Sequence, residues 1–176
     1  MLKDRTDYLL DIDEVLGPKA AKKAPGIVKW FLKRRLHVDQ INHFVMTAEH
    51  YNGVGFFDDA LKFLDISYRI RGEENIDLSK RYIFVSNHPL GGAEALIIGS
   101  IFRRLYGKGF KVPSNQFLYN LKPLREFFVP VRVLSGGKQD REIVERMTEM
   151  FNSDCQSLVF PAGLCARTFK GKITEM

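Results

Sequence analysis

The sequence predicts an α/β protein: a helical, basic N-terminal part over residues 1–65, then a mixed sheet flanked by helices over 66–176. Three observations carry that expectation. Apolar residues recur at helical spacing before residue 65, and short β-branched or aromatic runs alternate with helical blocks after it. Residues 82–98, Tyr-Ile-Phe-Val-Ser-Asn-His-Pro-Leu-Gly-Gly-Ala-Glu-Ala-Leu-Ile-Ile, join one such run to a helix through a turn built on Pro89, Gly91 and Gly92. A chain of 176 residues that is 45% hydrophobic and 12% aromatic suffices for one compact core.

Residues 8–16 form a short amphipathic segment that stops at Gly17-Pro18. From Lys19 to Arg35 there are seven basic residues and no acid, interleaved with Ile27, Val28, Trp30, Phe31 and Leu32. Lysines beside a Trp and a Phe suit a helix lying in a membrane interface, where rings enter the acyl boundary and cations meet anionic headgroups. The same pattern describes a solvated basic face on a helix whose apolar side packs on its own domain. Asp39 is placed to cap a helix in which Ile41, Phe44, Val45, Ala48 and Tyr51 recur at helical spacing. His43 and His50 fall on nearly one face, but with no carboxylate or cysteine in register they do not suggest a metal site. After Asn52-Gly53 comes a further helical pattern with Phe56, Phe57, Ala60, Leu61 and Leu64.

Ile66, Tyr68 and Ile70 alternate as in a strand over 66–71, and Gly72 to Asn75 form a turn toward a second strand over 82–86. A helix over 93–106 carries Leu96, Ile97, Ile98, Ile101 and Leu105 toward a sheet face. Phe110 to Val112 reads as a strand ending at Pro113, 115–121 as a short helix with Tyr119 against the site, and 127–133 as a strand. A helix over 138–151 turns Ile143, Met147, Met150 and Phe151 inward. A buried strand over 157–160 leaves through Pro161-Ala162-Gly163. Ser135-Gly136-Gly137-Lys138 is a loop or a phosphate-binding nest, and it lacks the spacing of a nucleotide P-loop.

A strand end, a glycine-bearing turn and a helix start bring unpaired N–H groups and partial positive charge together, so anionic groups settle there. His88 is the side chain in that loop suited to exchanging a proton near neutral pH. Glu94, in the first helical turn, is placed to hold the imidazole in one tautomer. The bland alternative is a turn with a capping Asn, followed by a Glu that the helix dipole favours.

The Asn87-His88 and Glu94 pattern resembles the histidine-acid motif of glycerolipid acyltransferases, and Phe160-Pro161-Ala162-Gly163 resembles their Phe-Pro-Glu-Gly motif in the same order. Ser-Asn-His-Pro-Leu-Gly-Gly and Phe-Pro-Ala-Gly-Leu-Cys together look like a bacterial, hemolysin-like or lysophospholipid acyltransferase branch with relatives that O-acylate amino-acid lipids. Five residues lie between His88 and Glu94 where the broad superfamily has four. Glu94 stands where the closer branch usually has Asp, and that branch has Ala at the position of Ala162.

The resemblance implies a glycerolipid acyltransferase-like αβ domain with His88 as base and Glu94 as its orienting acid. It assigns Asn87, Gly91, Gly92, Phe160, Pro161, Ala162 and Gly163 to substrate, with N–H groups around Gly91-Gly92 or Gly163 facing the oxyanion. The run from Phe127 to Val133 resembles the family's substrate-binding strand, with Arg132, one position off the usual place, set to meet a phosphate; the other reading is a strand-edge arginine. The implied reaction moves a fatty acyl group from acyl-CoA or acyl carrier protein to a hydroxyl of a lysophospholipid or amino-acid lipid, with no bound cofactor or metal. A catalytically weak or inactive lipid-binding relative is the alternative. The resemblance also implies further sheet and helix after Gly163, so a C-terminally truncated domain is expected.

No apolar run approaches the roughly 20 residues that span a bilayer, and the start lacks a signal-peptide hydrophobic region. The expectation is a cytoplasmic protein, peripheral on the inner face of the cytoplasmic membrane. Cys155 and Cys165 give neither zinc-ligand spacing nor a disulfide framework. The formal charge of +6 favours an anionic partner: nucleic acid, lipid headgroups or a phosphorylated carrier. The basic residues gather in one helix without a nucleic-acid recognition motif, so an anionic membrane surface is expected and nucleic acid is not.

Overall fold

The computed structural model describes residues 4–131, 140–163, 167–169 and 172–174, with Gln116 and Phe117 described by their backbone only. Four helices come first: α1 (Ile12–Lys23), α2 (Gly26–Arg35), α3 (Val38–Thr47) and α4 (Phe56–Phe63). The Asp11 carboxylate caps α1 by accepting from the Asp13 N–H at 2.8 Å. The first segment does not stop at Gly17-Pro18, as the sequence suggests; it bends there, with Gly17 at φ 75° and ψ 161° between two helical pieces. Asp39 is not the cap of α3 either. His37, in the left-handed region at φ 53°, is the cap residue, and Asp39 sits in the first turn, where the helix dipole favours an acid.

Next come β1 (Ile83–Val85), α5 (Gly92–Tyr106), β2 (Phe110–Asn115), β3 (Phe128–Val131), α6 (Arg141–Asn152) and β4 (Gln156–Val159). Their four strands form one sheet in the order β1-β4-β2-β3, every neighbouring pair parallel. Antiparallel pairing is confined to a separate ribbon of β5 (Arg167–Phe169) and β6 (Lys172–Thr174). Parallel strands need long crossovers: α5 joins β1 to β2 and α6 joins β3 to β4, while β2 reaches β3 through the 3-10 turns Gln116–Asn120 and Lys122–Leu124.

The alternation at 66–71 does not make a strand. That stretch is extended but unpaired among the described residues, with Ile66, Tyr68 and Ile70 half-buried and Ser67, Arg69 and Arg71 exposed. Tyr68 reaches α5, its hydroxyl 2.9 Å from Ser100 Oγ, so the alternation records a chain laid over a helix. Gly72–Asn75 therefore leads into a short 3-10 turn, Glu73–Asn75, rather than joining two strands. Residues 116–120 are likewise 3-10 rather than α-helical.

β2 runs through Pro113 instead of ending there. Val112 donates its N–H to Phe127 O at 2.8 Å, on the β3 side, so the positions either side of it face β4. Proline has no N–H to offer, and the β2-β4 pairing ends at Lys111↔Ser157. β2 nonetheless stays paired with β3 through Asn115↔Val131, and β4 with β1 through Val85↔Val159. The sheet is forked at its C-terminal edge.

The core joins the N-terminal helices to the sheet. Phe44 and Val45 of α3 and Phe56, Phe57 and Ala60 of α4 pack in one cluster with Phe102, Phe110, Val112, Phe127 and Leu158. Phe57 makes the central ring contacts, at 5.6 Å to Phe110 and 5.0 Å to Phe127 between centroids. A β-carbon at Gly99 would fall 2.3 Å from the Phe57 ring, so the α4-α5 approach requires glycine there.

Candidate active site

Because β1 and β4 are parallel and in register to Val85↔Val159, they leave the sheet side by side, and Ser86 N–H extends the pairing to Val159 O at 3.1 Å. One chain runs on to His88, the other to Phe160. Past His88 the loop turns through Gly91, whose φ of 78° and ψ of −122° suit glycine alone, and α5 begins at Gly92. That geometry swings Glu94, in the first turn of α5, back over the loop. Its Oε1 accepts from the Leu90 N–H at 2.8 Å, and its Oε2 lies 3.5 Å from His88 Nδ1.

The side chains of His88 and Glu94 are only 18% and 11% exposed, and among the described residues the two facing atoms have no other partner. The approach is slightly longer than a hydrogen bond, as acid-base pairs often are before substrate tightens them. With Nδ1 turned to the acid, Nε2 is the nitrogen left to accept a proton. On its other side the imidazole stacks on Phe160, with centroids 4.2 Å apart and planes inclined by 25°. The ring is thus held by a carboxylate at one edge and a benzene face beneath. Val85 and Leu90, 68% and 69% exposed, bring apolar surface to the same loop.

A profile of the acyltransferase family matches residues 13–176. The chain belongs to the acyltransferase family. It is similar to a lyso-glycine lipid O-acyltransferase of Bacteroides thetaiotaomicron, 35% identical over 99% of this chain and 65% of that protein. It is also similar to a lyso-glycine lipid O-acyltransferase of Phocaeicola vulgatus, 34% identical over 99% of this chain and 63% of that one. The chain therefore spans slightly less than two thirds of these curated relatives' length. No solved structure gives a significant match.

In this acyltransferase chain the two motifs expected to meet do so through His88, Glu94 and Phe160. Phe160 stands against the imidazole, a position that motif order alone did not reveal. Gly163 closes the turn after β4 by donating its N–H to Phe160 O at 2.9 Å, so that N–H is engaged and not free to face an oxyanion. Gly91 and Gly92 lead into α5, where first-turn N–H groups have no partner within the helix. Asn87 is exposed, its carbonyl accepting from Ser86 Oγ at 2.9 Å, and Pro161 and Ala162 are exposed in the turn. Arg132, the Ser135–Lys138 loop and Cys165 lie outside the described residues. Tyr119 is engaged by Arg125, whose guanidinium lies 4.9 Å from its ring centroid while Nε donates to Tyr119 O at 2.9 Å.

The anchoring of Glu94 by Leu90 went unforeseen because a backbone N–H leaves no mark in a side-chain pattern. Two cavities lie away from the pair. One of about 510 Å³ is lined by Asp58, Tyr68, Ser100, Arg103 and Arg104. The other, of about 260 Å³, includes Asp59, which pairs with His50 at 3.3 Å. The basic helix α2 exposes apolar side chains: Ile27 is 75% exposed, Trp30 and Phe31 each 59%. Among the described residues no helix is long and apolar enough to cross a membrane.

Proposed function

We propose that this chain transfers a fatty acyl group from a thioester, on coenzyme A or acyl carrier protein, to a hydroxyl of a lyso-lipid. The acceptor class the relatives' names favour is an amino-acid lipid of the lyso-glycine kind. The observation that carries the reading is the buried His88-Glu94 pair, with Nδ1 facing the acid and the ring backed by Phe160.

His88 Nε2 takes the hydroxyl proton as the oxygen attacks the thioester carbonyl, and Glu94 stabilises the imidazolium that forms. The tetrahedral oxyanion faces N–H groups at the start of α5, around Gly91 and Gly92, where the helix dipole adds positive potential. Collapse breaks the carbon-sulfur bond, and the leaving thiolate receives the proton from His88. No covalent enzyme intermediate forms. Removing such a base costs on the order of 10² to 10⁴ in rate. The test is incubation with acyl-CoA or acyl carrier protein and lyso-glycine lipid, with mass spectrometry of products from wild type and His88→Ala. Equal transfer by both would refute the mechanism.

The exposed apolar side chains of Ile27, Trp30 and Phe31, beside Lys29, Lys33, Arg34 and Arg35, are the observation behind a membrane-surface location. They also favour the second reading, a lipid-surface binder without turnover. Co-sedimentation with anionic vesicles, together with absence of acylated product, would establish that second reading.

A further inference from the structure

The forked edge of the sheet holds a polar group with nothing to bond. Counting on from the Lys111↔Ser157 register, Ser114 of β2 stands level with Phe160, and the ladder between the two strands has already ended. Ser114 lies on the same strand face as Phe110 and Val112, which pack into the core cluster with Leu158. Phe160, two residues beyond Leu158, packs against that same cluster. Ser114 is 8% exposed, and its Oγ has no hydrogen-bond partner among the described residues. A buried hydroxyl left unpaired is unfavourable, and such groups are uncommon without a role.

Ser114 and Phe160 thus lie on the same side of the sheet at the fork, and the imidazole stacks on Phe160. In open α/β sheets the crevice beyond the carboxyl ends of the strands is where ligands bind. We infer that Ser114 binds the acyl acceptor, its hydroxyl donating a hydrogen bond to a neutral carbonyl a few bonds from the reacting hydroxyl. Neutrality follows from the surroundings. Among the described residues Ser114 is flanked on its face by Val112, lies opposite Pro130 and stands level with Phe160, none of which carries a charge to offset the desolvation of an ion. The inference rests on the proposed acyl transfer and adds the residue that reads the acceptor.

The test compares wild type, Ser114→Ala and Ser114→Thr with lyso-glycine lipid and with an analogue lacking the carbonyl nearest its hydroxyl. Ser114→Ala should raise KM for the carbonyl-bearing acceptor about five- to tenfold, the worth of one neutral hydrogen bond, with kcat changed less than about twofold. KM for the analogue should not move, and Ser114→Thr should restore wild-type KM. The melting temperature of Ser114→Ala should stay level or rise, since an unpaired hydroxyl is removed, whereas a purely structural role would lower it. An unchanged KM, equal losses with both acceptors, or a lower melting temperature would overturn the inference. Calorimetric titration of lyso-glycine lipid into the His88→Ala background separates the two claims. Ser114-dependent binding without wild-type turnover refutes acyl transfer alone, and turnover with no Ser114 effect refutes Ser114 alone.

Discussion

The imidazole of His88 lies almost flat on the ring of Phe160, with centroids 4.2 Å apart and planes inclined by 25°. A histidine at the rim of a sheet, gripped only at Nδ1, could still swing about that contact; the aromatic face removes this freedom. Such stacking is worth about 0.5–1.5 kcal/mol beyond the area it buries. Phe160→Leu should therefore lower kcat up to about tenfold, the rate equivalent of 1.4 kcal/mol, and leave the acyl-donor KM unchanged. Phe160→Tyr, which keeps the ring, should retain most of the rate in steady-state assays.

Glu94 holds two partners, Leu90 N–H through Oε1 and His88 through Oε2. Aspartate is one methylene shorter and cannot span both from the same helical position. Glu94→Asp should lower kcat about ten- to a hundredfold, the scale for a lost hydrogen bond to a charged group. Glu94→Gln keeps the Leu90 bond but not the charge, and should lose rate without losing melting temperature. A Glu94→Asp enzyme faster than wild type would show that the anchoring is dispensable.

Gly99 is where α5 meets α4, with space for a hydrogen and no more. Gly99→Ala drives a methyl into the Phe57 ring, and overpacking of that kind costs about 1–3 kcal/mol. A chain of this size should lose roughly 5 °C in melting temperature by calorimetry. A smaller companion loss is expected for Phe57→Leu.

Tyr106 has a buried hydroxyl with no hydrogen-bond partner among the described residues, and burial raises its ionisation above the ordinary value of 10.0. A group whose folded pKa is raised contributes stability that is full below its unfolded pKa and is lost as pH rises through the folded one. Wild type should therefore lose stability above pH 10.0 more steeply than Tyr106→Phe, as urea denaturation across that range would show. Near neutral pH, Tyr106→Phe should be as stable as wild type or more so, because no unpaired hydroxyl is left in the interior.

The site was legible where chemistry sits in adjacent residues. His88 and Glu94 stood out as a candidate pair because a strand exit, a glycine turn and a helix start announce themselves in composition, whereas the Phe160 turn stood out through the motif it resembles. The helical elements were readable for a related reason: α3, α4 and α5 each carry apolar residues at helical spacing, and Phe44, Val45 and Phe57 are buried as that spacing requires, whereas in α5 the expected Leu96, Ile97, Ile98, Ile101 and Leu105 are half-buried and Phe102 is the buried apolar residue. The misreadings share a cause as well. Half-buried Ile66, Tyr68 and Ile70 alternate with exposed neighbours in an extended stretch whose Tyr68 reaches Ser100 of α5, and alternation cannot tell such a stretch from a paired strand. Pro113 read as the end of β2 because a single strand does not reveal which side its missing N–H would face. Ser114 drew no notice at all, since serine is unremarkable until its neighbours are known.

Pro113 governs where the two halves of the sheet part company. Any other amino acid at that position would supply a donor on the β4 side. By withholding one hydrogen atom, the chain lets the ladder between β2 and β4 stop at Lys111↔Ser157, short of both Ser114 and Phe160.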